Sequence, residues 1–97
     1  AKRRGLNLHF VSADEHDREM ARINALTFFI AKALNELGLK SSGLDTPSYK
    51  RLLNLAELDR HHSKDLFETI QSGNPYSKKT REQFIKILKN LEDEICI

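Results

Sequence analysis

SADEHDREMARINALTFFIAKALNELG, residues 12–38, reads as one long helix with both ends marked. Ser12 followed by Glu15 is a capping box, in which each side chain satisfies a backbone N–H at the helix start. Asp14, Glu15 and Asp17 place negative charge beside the positive end of the helix dipole. Gly38 supplies the left-handed residue that closes the far end. No proline or glycine interrupts the run between the caps. About 25 residues at ~1.5 Å each give a rod of roughly 37 Å. A domain of this length has an expected radius of gyration of ~13 Å, so the rod runs its full width.

At ~100° per residue, Ile23, Leu26, Ile30, Ala33, Leu34 and Leu37 fall on one broad stripe, widened by Met20 and Phe29. The opposite face should be polar, yet Phe28 lies there with Ala21 and Ala25 beside it. Between Ala25 and Leu34 only Thr27 and Lys32 are polar. A lone exposed phenylalanine is the simpler reading. The small and apolar residues around it favour a helix contacted from two sides.

The bulk composition narrows the class. The 97 residues make one small domain with a modest core. The 16 basic and 14 acidic residues nearly balance at +2, which argues against a dedicated nucleic-acid binder. A single cysteine, Cys96, excludes an internal disulfide and fits a reducing cytosol; among Ile95 and Ile97 it reads as a packing residue. No apolar run reaches the length of a membrane span, and no secretory signal is visible, so a cytoplasmic protein is expected. The chain opens on Ala1 without an initiator methionine, which suggests a piece of something longer.

Residues 1–4, AKRR, read as a solvated basic lead. Residues 5–11, GLNLHFV, alternate with the period of a strand. A lone strand needs a sheet, and nothing else here reads as one. Residues 1–11 are therefore expected to be an extended segment closing a domain that lies upstream, with residues 12–97 a helical dimerisation domain. After a Ser- and Gly-rich loop, Thr46 caps a second helix with Pro47 at its first position, ending near Arg60 or His61. Tyr49, Leu52, Leu53 and Ala56 give it a buried face. Ser63 caps a short third helix carrying Leu66, Phe67 and Ile70, broken by Gly73, Asn74 and Pro75. Ser77 is expected to cap a fourth helix to about Ile95, with Phe84, Ile85, Leu88, Leu91 and Ile95 as its stripe. The fold class is all-α: a long central helix with three shorter ones. Their apolar faces are too few to wrap the long helix, and a second copy, paired about a twofold axis, supplies the missing cover. The expected interface residues are Ala21, Ala25, Leu26, Phe28, Phe29 and Ile30.

Little catalytic apparatus is visible. His16 and Asp17 are adjacent, so their side chains project about 100° apart and are not expected to form a dyad. His16 near a helix N-terminus leans neutral and can hydrogen-bond a ligand or a neighbouring loop. His61 and His62 lack a third ligand at metal-binding spacing. The four glycines are scattered, with no phosphate loop among them. No metal, cofactor or catalytic residue is expected within these 97 residues.

The run His16-Asp17-Arg18-Glu19-Met20-Ala21, continuing through Ala25-Leu26-Thr27-Phe28-Phe29, resembles the start of the C-terminal helical domain of prephenate dehydrogenases, especially the archaeal type. That family reads HDR-x-MA and then LTHF. Thr46-Pro47-Ser48-Tyr49 is similar to its next helix start. Leu66-Phe67-Glu68-Thr69-Ile70-Gln71 and Asn74-Pro75-Tyr76 are similar to its short helix and following turn. The resemblance covers nearly the whole chain. It implies a parent that oxidatively decarboxylates prephenate to 4-hydroxyphenylpyruvate with NAD or NADP, on the route to tyrosine. The cofactor glycines and the catalytic histidine would belong to an upstream Rossmann domain, leaving this part inactive alone. This domain would dimerise and close the prephenate cleft, with His16 on the substrate side. Two positions depart from the pattern. The histidine of LTHF falls on Phe28, and the family's substrate arginine on the second helix falls on Leu58, with Arg60 nearby. A leucine cannot hold a carboxylate.

Two other classes fit parts of the chain. A free-standing helical chorismate mutase is also a small dimer with a long first helix, but it needs several cations converging on a buried dicarboxylate. The long helix offers Arg18, Arg22 and Lys32. A helical DNA-binding domain needs a basic reading helix, for which residues 77–89 are the candidate.

Overall fold

A computed structural model describes residues 12–95, and every regular element within that range is helical. The basic lead, the strand expected at residues 5–11 and the packing role expected of Cys96 lie outside the described residues. Helix α1 covers residues 13–37 in three consecutive stretches: α-helical Ala13–Met20, a π turn at Ala21–Leu26, and α-helical Thr27–Leu37. Helices α2 (Pro47–Arg60), α3 (Lys64–Ser72) and α4 (Ser77–Ile95) follow. The all-α architecture of one long helix and three others is as read from the sequence.

Most caps form as their chemistry requires. Ser12 Oγ accepts the Glu15 N–H at 3.1 Å, and Glu15 Oε1 accepts the Ser12 N–H at 3.3 Å. Gly38 closes α1 at φ 83°, a left-handed conformation that any Cβ would disfavour. Thr46 Oγ1 accepts the Tyr49 N–H, and Ser63 Oγ accepts the Leu66 N–H. The exception is Ser77. It is the first residue of α4, fully buried, and its hydroxyl finds no hydrogen-bond partner among the described residues. Capping passes to the preceding corner. Asn74 Oδ1 accepts the Tyr76 N–H at 2.8 Å, and Asn74 O accepts the Ser77 N–H at 3.2 Å. Ser77 is there for its size: α4 meets the π turn at this end, and a small side chain lets the two backbones close.

The π turn changes which face of α1 is inside. A constant α-helical step puts Ile23, Ala33 and Leu37 on the core stripe. In the structure Ile23 is 60% exposed, Leu37 is 73% exposed and Ala33 is also exposed. The fully covered residues of α1 are Ala21, Ala25 and Ala31. Each residue of a π turn, with its i→i+5 hydrogen bonds, rotates the helix less than an α residue does. Side chains beyond residue 26 therefore lag behind their extrapolated positions. The helix is contacted from two directions by its own chain. Helix α2 packs along Thr27–Leu37, while α3 and α4 meet the π turn. Phe28 is covered by His62, from the α2–α3 corner, with ring centroids 4.2 Å apart.

The resulting core is thin. Among the described residues, the buried hydrophobic side chains are Ala21, Ala25, Ala31 and Ala56. Large apolar groups stay partly open, including Leu52, Leu58, Leu66 and the outer stripe of α4. The radius of gyration is 16.8 Å, well above the ~13 Å of a spherical domain this long.

Candidate functional site

The best-built polar feature is a clamp that the α3–α4 corner places on α1. Its anchor is Gln71, the only long polar side chain among the buried residues described. Gln71 Nε2 donates to the Ala25 carbonyl at 2.7 Å, and Gln71 Oε1 accepts from Arg81 Nη1 at 2.9 Å. The Arg81 guanidinium lies 5.9 Å from the Phe29 ring centroid. About two turns earlier on α1, Asn74 Nδ2 donates to the Asp17 carbonyl at 2.7 Å. From α1 itself, Thr27 Oγ1 donates to the Ile23 carbonyl at 2.8 Å. Side-chain donors thus occupy the Ile23 and Ala25 carbonyls within the wide turn, and the Asp17 carbonyl one turn before it. This is the recurring reason for a broken i→i−4 ladder.

The corner also reaches the start of α1. The Tyr76 hydroxyl donates to Asp14 Oδ1, and Arg18 Nη2 pairs with Asp14 Oδ2 at 2.5 Å. The Arg18 guanidinium sits 5.7 Å from the Tyr76 ring centroid. The hydrogen bond from Tyr76, followed by that from Arg18, holds the Asp14 carboxyl below the usual carboxylate range. The same bond to Asp14 pushes the Tyr76 phenol above its ordinary value.

Beside this cluster lies an open cavity of about 640 Å³ between α1 and the start of α4. Arg18, Glu19 and Arg22 line it from α1; Tyr76, Lys79, Thr80 and Gln83 line it from the other side. The second set is spaced i, i+3, i+4, i+7, one face of a helix. A smaller cavity of about 300 Å³ is walled by Phe29, Lys32, Ala33, Glu36 and Phe67. Lys32 caps the Phe67 ring there at 5.2 Å and pairs with Glu36 at 3.7 Å.

The residues singled out from the sequence scatter over the molecule. His16 is exposed on the first turn of α1, with Nδ1 3.5 Å from Asp17 Oδ1. The two side chains approach across one backbone step without a hydrogen bond between them. Of the expected interface residues, Ala21 and Ala25 are already covered within the chain, and Leu26, Phe28, Phe29 and Ile30 are half-buried. Arg60 bonds Asn35 Oδ1 at 3.2 Å and Glu57 at 3.0 Å, so it ties α2 to the end of α1; Leu58 is partly exposed. His61 lies 3.5 Å from Glu57. No group of three metal-ligating side chains occurs among the described residues. Sequence reasoning missed the clamp. A signal for it was present: Gln71 stands four residues after Phe67, on the apolar face of α3.

Fold and clamp together define a class, a helical domain whose Asn–Pro–Tyr corner locks a long first helix. A family model described as "TYRAAT1-like, C-terminal domain" matches residues 33–96, and the chain belongs to that family. The chain is also similar to arogenate dehydrogenase 1, chloroplastic, of Arabidopsis thaliana, at 29% identity over 93 residues. That match covers 96% of this chain but 14% of the plant protein's length. Together these likenesses bear out the resemblance to a prephenate/arogenate dehydrogenase C-terminal domain.

Proposed function

We propose that this chain is the C-terminal helical domain of an enzyme that oxidises prephenate or arogenate, and that it pairs two copies of the parent and closes part of the substrate cleft. The family match over residues 33–96 carries the reading. The archaeal-type order of motifs, from His16-Asp17-Arg18 to Asn74-Pro75-Tyr76, supports it, as does the similarity to a plant arogenate dehydrogenase. His16 then faces the cleft from the start of α1, where it is exposed and free to meet a substrate or an upstream domain. The proposal places the parent in the cytoplasm; no helix among the described residues is long and apolar enough to cross a membrane.

NAD or NADP would serve the parent, and the residues described here do not fit either one. A dinucleotide needs a strand running into a glycine-rich turn at a helix N-terminus. Gly38 and Gly73 instead sit at helix C-termini, and Gly43 lies in the loop before α2. The hydride chemistry is therefore assigned to residues outside 12–95.

The pairing surface has a physical motive. The fully buried hydrophobic residues among those described are four alanines, and the large apolar side chains are only partly covered, so further burial would stabilise the domain. The outer stripe of α4, Ile85, Leu88, Leu91 and Ile95, stays 43–58% exposed. It is a continuous apolar face that the described helices leave open, and it joins the exposed Ile23 of α1 and the half-buried Leu26 and Ile30 as surface that a second copy covers. The three cations of α1 that a chorismate mutase reading would draw on do not converge: Lys32 sits in the Phe67 cavity, apart from Arg18 and Arg22.

Two measurements test the proposal. Light scattering on the 97-residue chain should give a dimer, and a concentration-independent monomer would remove the pairing role. A chain extended upstream of Ala1 should reduce NAD⁺ or NADP⁺ with prephenate or arogenate. Absence of turnover with both would remove the enzymatic assignment.

A further inference from the structure

The cavity between α1 and α4 has a charge pattern that the fold does not need. Three cations line it: Arg18, Arg22 and Lys79. Asp14 answers Arg18. Among the described residues, neither Arg22 nor Lys79 has an ion-pair partner. Glu19 is the one carboxylate in the lining. Exposed arginines and lysines usually project from separate places on a surface. These two approach one concavity from different helices, with the Thr80 hydroxyl, the Gln83 amide and the Tyr76 ring between them. The frame that holds them is rigid where it matters. Tyr76 is fixed to Asp14, and Thr80 Oγ1 is fixed to the Tyr76 carbonyl at 3.0 Å. Arg22 stands in the π turn itself, whose Ala25 carbonyl is held by Gln71. The cavity, at about 640 Å³, is in the size range of small-molecule sites.

We propose that this cavity binds a small organic or inorganic anion through a carboxylate or phosphate group, with Arg22 and Lys79 as the binding cations. A guanidinium presents a planar fork to two oxygens of such a group, and an ammonium adds a movable point charge. Gln83 donates to the remaining oxygens or to a polar substituent, while Thr80, whose one hydroxyl proton goes to the Tyr76 carbonyl, shapes the wall and accepts. Glu19 faces the same space and opposes the anion, so it limits affinity. The site needs no cofactor and no upstream domain, and it stands whether or not the dehydrogenase reading does.

The test is a calorimetric titration of the 97-residue chain with citrate and, separately, with inorganic phosphate, at an ionic strength held constant with chloride. Saturable binding at one site per chain is expected. Arg22→Gln and Lys79→Gln should each weaken it by about tenfold, the effect of losing one charge-assisted hydrogen bond. Glu19→Gln should tighten it. Lys64→Gln, at the start of α3 and outside the cavity, should change nothing. Circular dichroism identifies any variant that fails to fold; Lys79 is exposed, so its variant keeps the test decisive if Arg22→Gln is lost. Tighter binding of citrate or of phosphate names the source of the anion, and either supports the site. The proposal is overturned if neither anion saturates, if Lys79→Gln binds like the parent, or if Lys64→Gln weakens binding as much as Lys79→Gln does.

Discussion

The two ends of α4 are one helix in opposite circumstances. Its first turns are held against α1: Ser77 is fully buried, Thr80 and Arg81 are bonded, and Gln71 bridges Arg81 to the π turn. Its last three turns carry Ile85, Leu88, Leu91 and Ile95 half-open to water. The chain uses hydrogen bonds where this helix closes on α1 and leaves a row of Ile and Leu side chains open where it does not. A Leu or Ile side chain contributes about 1.5–3 kcal/mol when buried in full, so covering this stripe would add a substantial share of stabilisation. A small domain with a thin core gains it by covering that stripe.

The sharpest way to break this contrast is to charge the open end. Leu88→Asp or Leu91→Asp leaves the isolated fold nearly untouched, because each site is already about half exposed. In a pair, each places an unpaired carboxylate in a dry interface, at a cost of several kcal/mol. Light scattering should show dissociation with helicity kept. Leu26→Asp should behave differently: Leu26 is half-buried within its own chain, so helicity itself should fall. An unchanged dimer from both α4 variants would show that the open stripe is not the contact.

Next in size are the clamp residues. Gln71→Ala leaves the Ala25 carbonyl and the Arg81 guanidinium without their partner. The expected loss is about 2 kcal/mol, which lowers Tm by roughly 10 °C in a domain this long. Gly73→Ala strikes the same corner by another route. A Cβ there would come within 2.7 Å of the Thr69 carbonyl oxygen, a backbone atom that cannot swing aside. A loss of about 1–3 kcal/mol is expected. Asn74→Ala removes the bond to the Asp17 carbonyl and the cap on Tyr76, for about 1 kcal/mol. Thermal melts rank the three, and a Gln71→Ala protein as stable as the parent would reduce the clamp to a surface contact.

The sequence was most legible where the determinants are local. The Ser12, Thr46 and Ser63 caps, Pro47 and Gly38 act within four residues of themselves, and each formed as its chemistry demands. The inner face of α1 was not legible. Its rotation depends on donors 46 and 57 residues away, Gln71 on Ala25 and Asn74 on Asp17, and no periodicity within residues 12–38 encodes them. Ser77 misled for a related reason: its residue type suits a cap, but the site selected it for bulk. The anion cavity escaped notice because Arg18, Arg22 and Lys79 are each unremarkable on their own helix and converge only when α4 crosses the π turn. The two-sided covering of α1 was legible from Phe28, although His62 of the same chain supplies the cover at that residue.

The smallest expected effect is also the most specific test of the corner, because it is read in protons. The Asp14 pKa is lowered, chiefly by the Tyr76 hydroxyl and then by Arg18. A group with a depressed folded value contributes stability above its unfolded pKa of ~3.9 and loses it as pH falls through the folded value. The Tyr76 pKa is raised, chiefly by Asp14. Its contribution is present below its unfolded pKa of ~10 and is lost as pH rises through the folded value. The contact is therefore complete between these limits and fails at each edge for a different reason. Tyr76→Phe removes the larger cause at Asp14, so that carboxyl should titrate at a higher pH, and the alkaline loss should vanish with the phenol. Arg18 remains, so the Asp14 value should return only part of the way. Both groups are at the surface, and added salt should shrink the Arg18 share while leaving the Tyr76 share nearly intact, because a hydrogen bond between touching atoms is screened far less than a charge pair in solvent. A carbon-detected titration of Asp14 in the two proteins, at low and high salt, separates the shares. Identical titrations would mean that Tyr76 does not hold the start of α1.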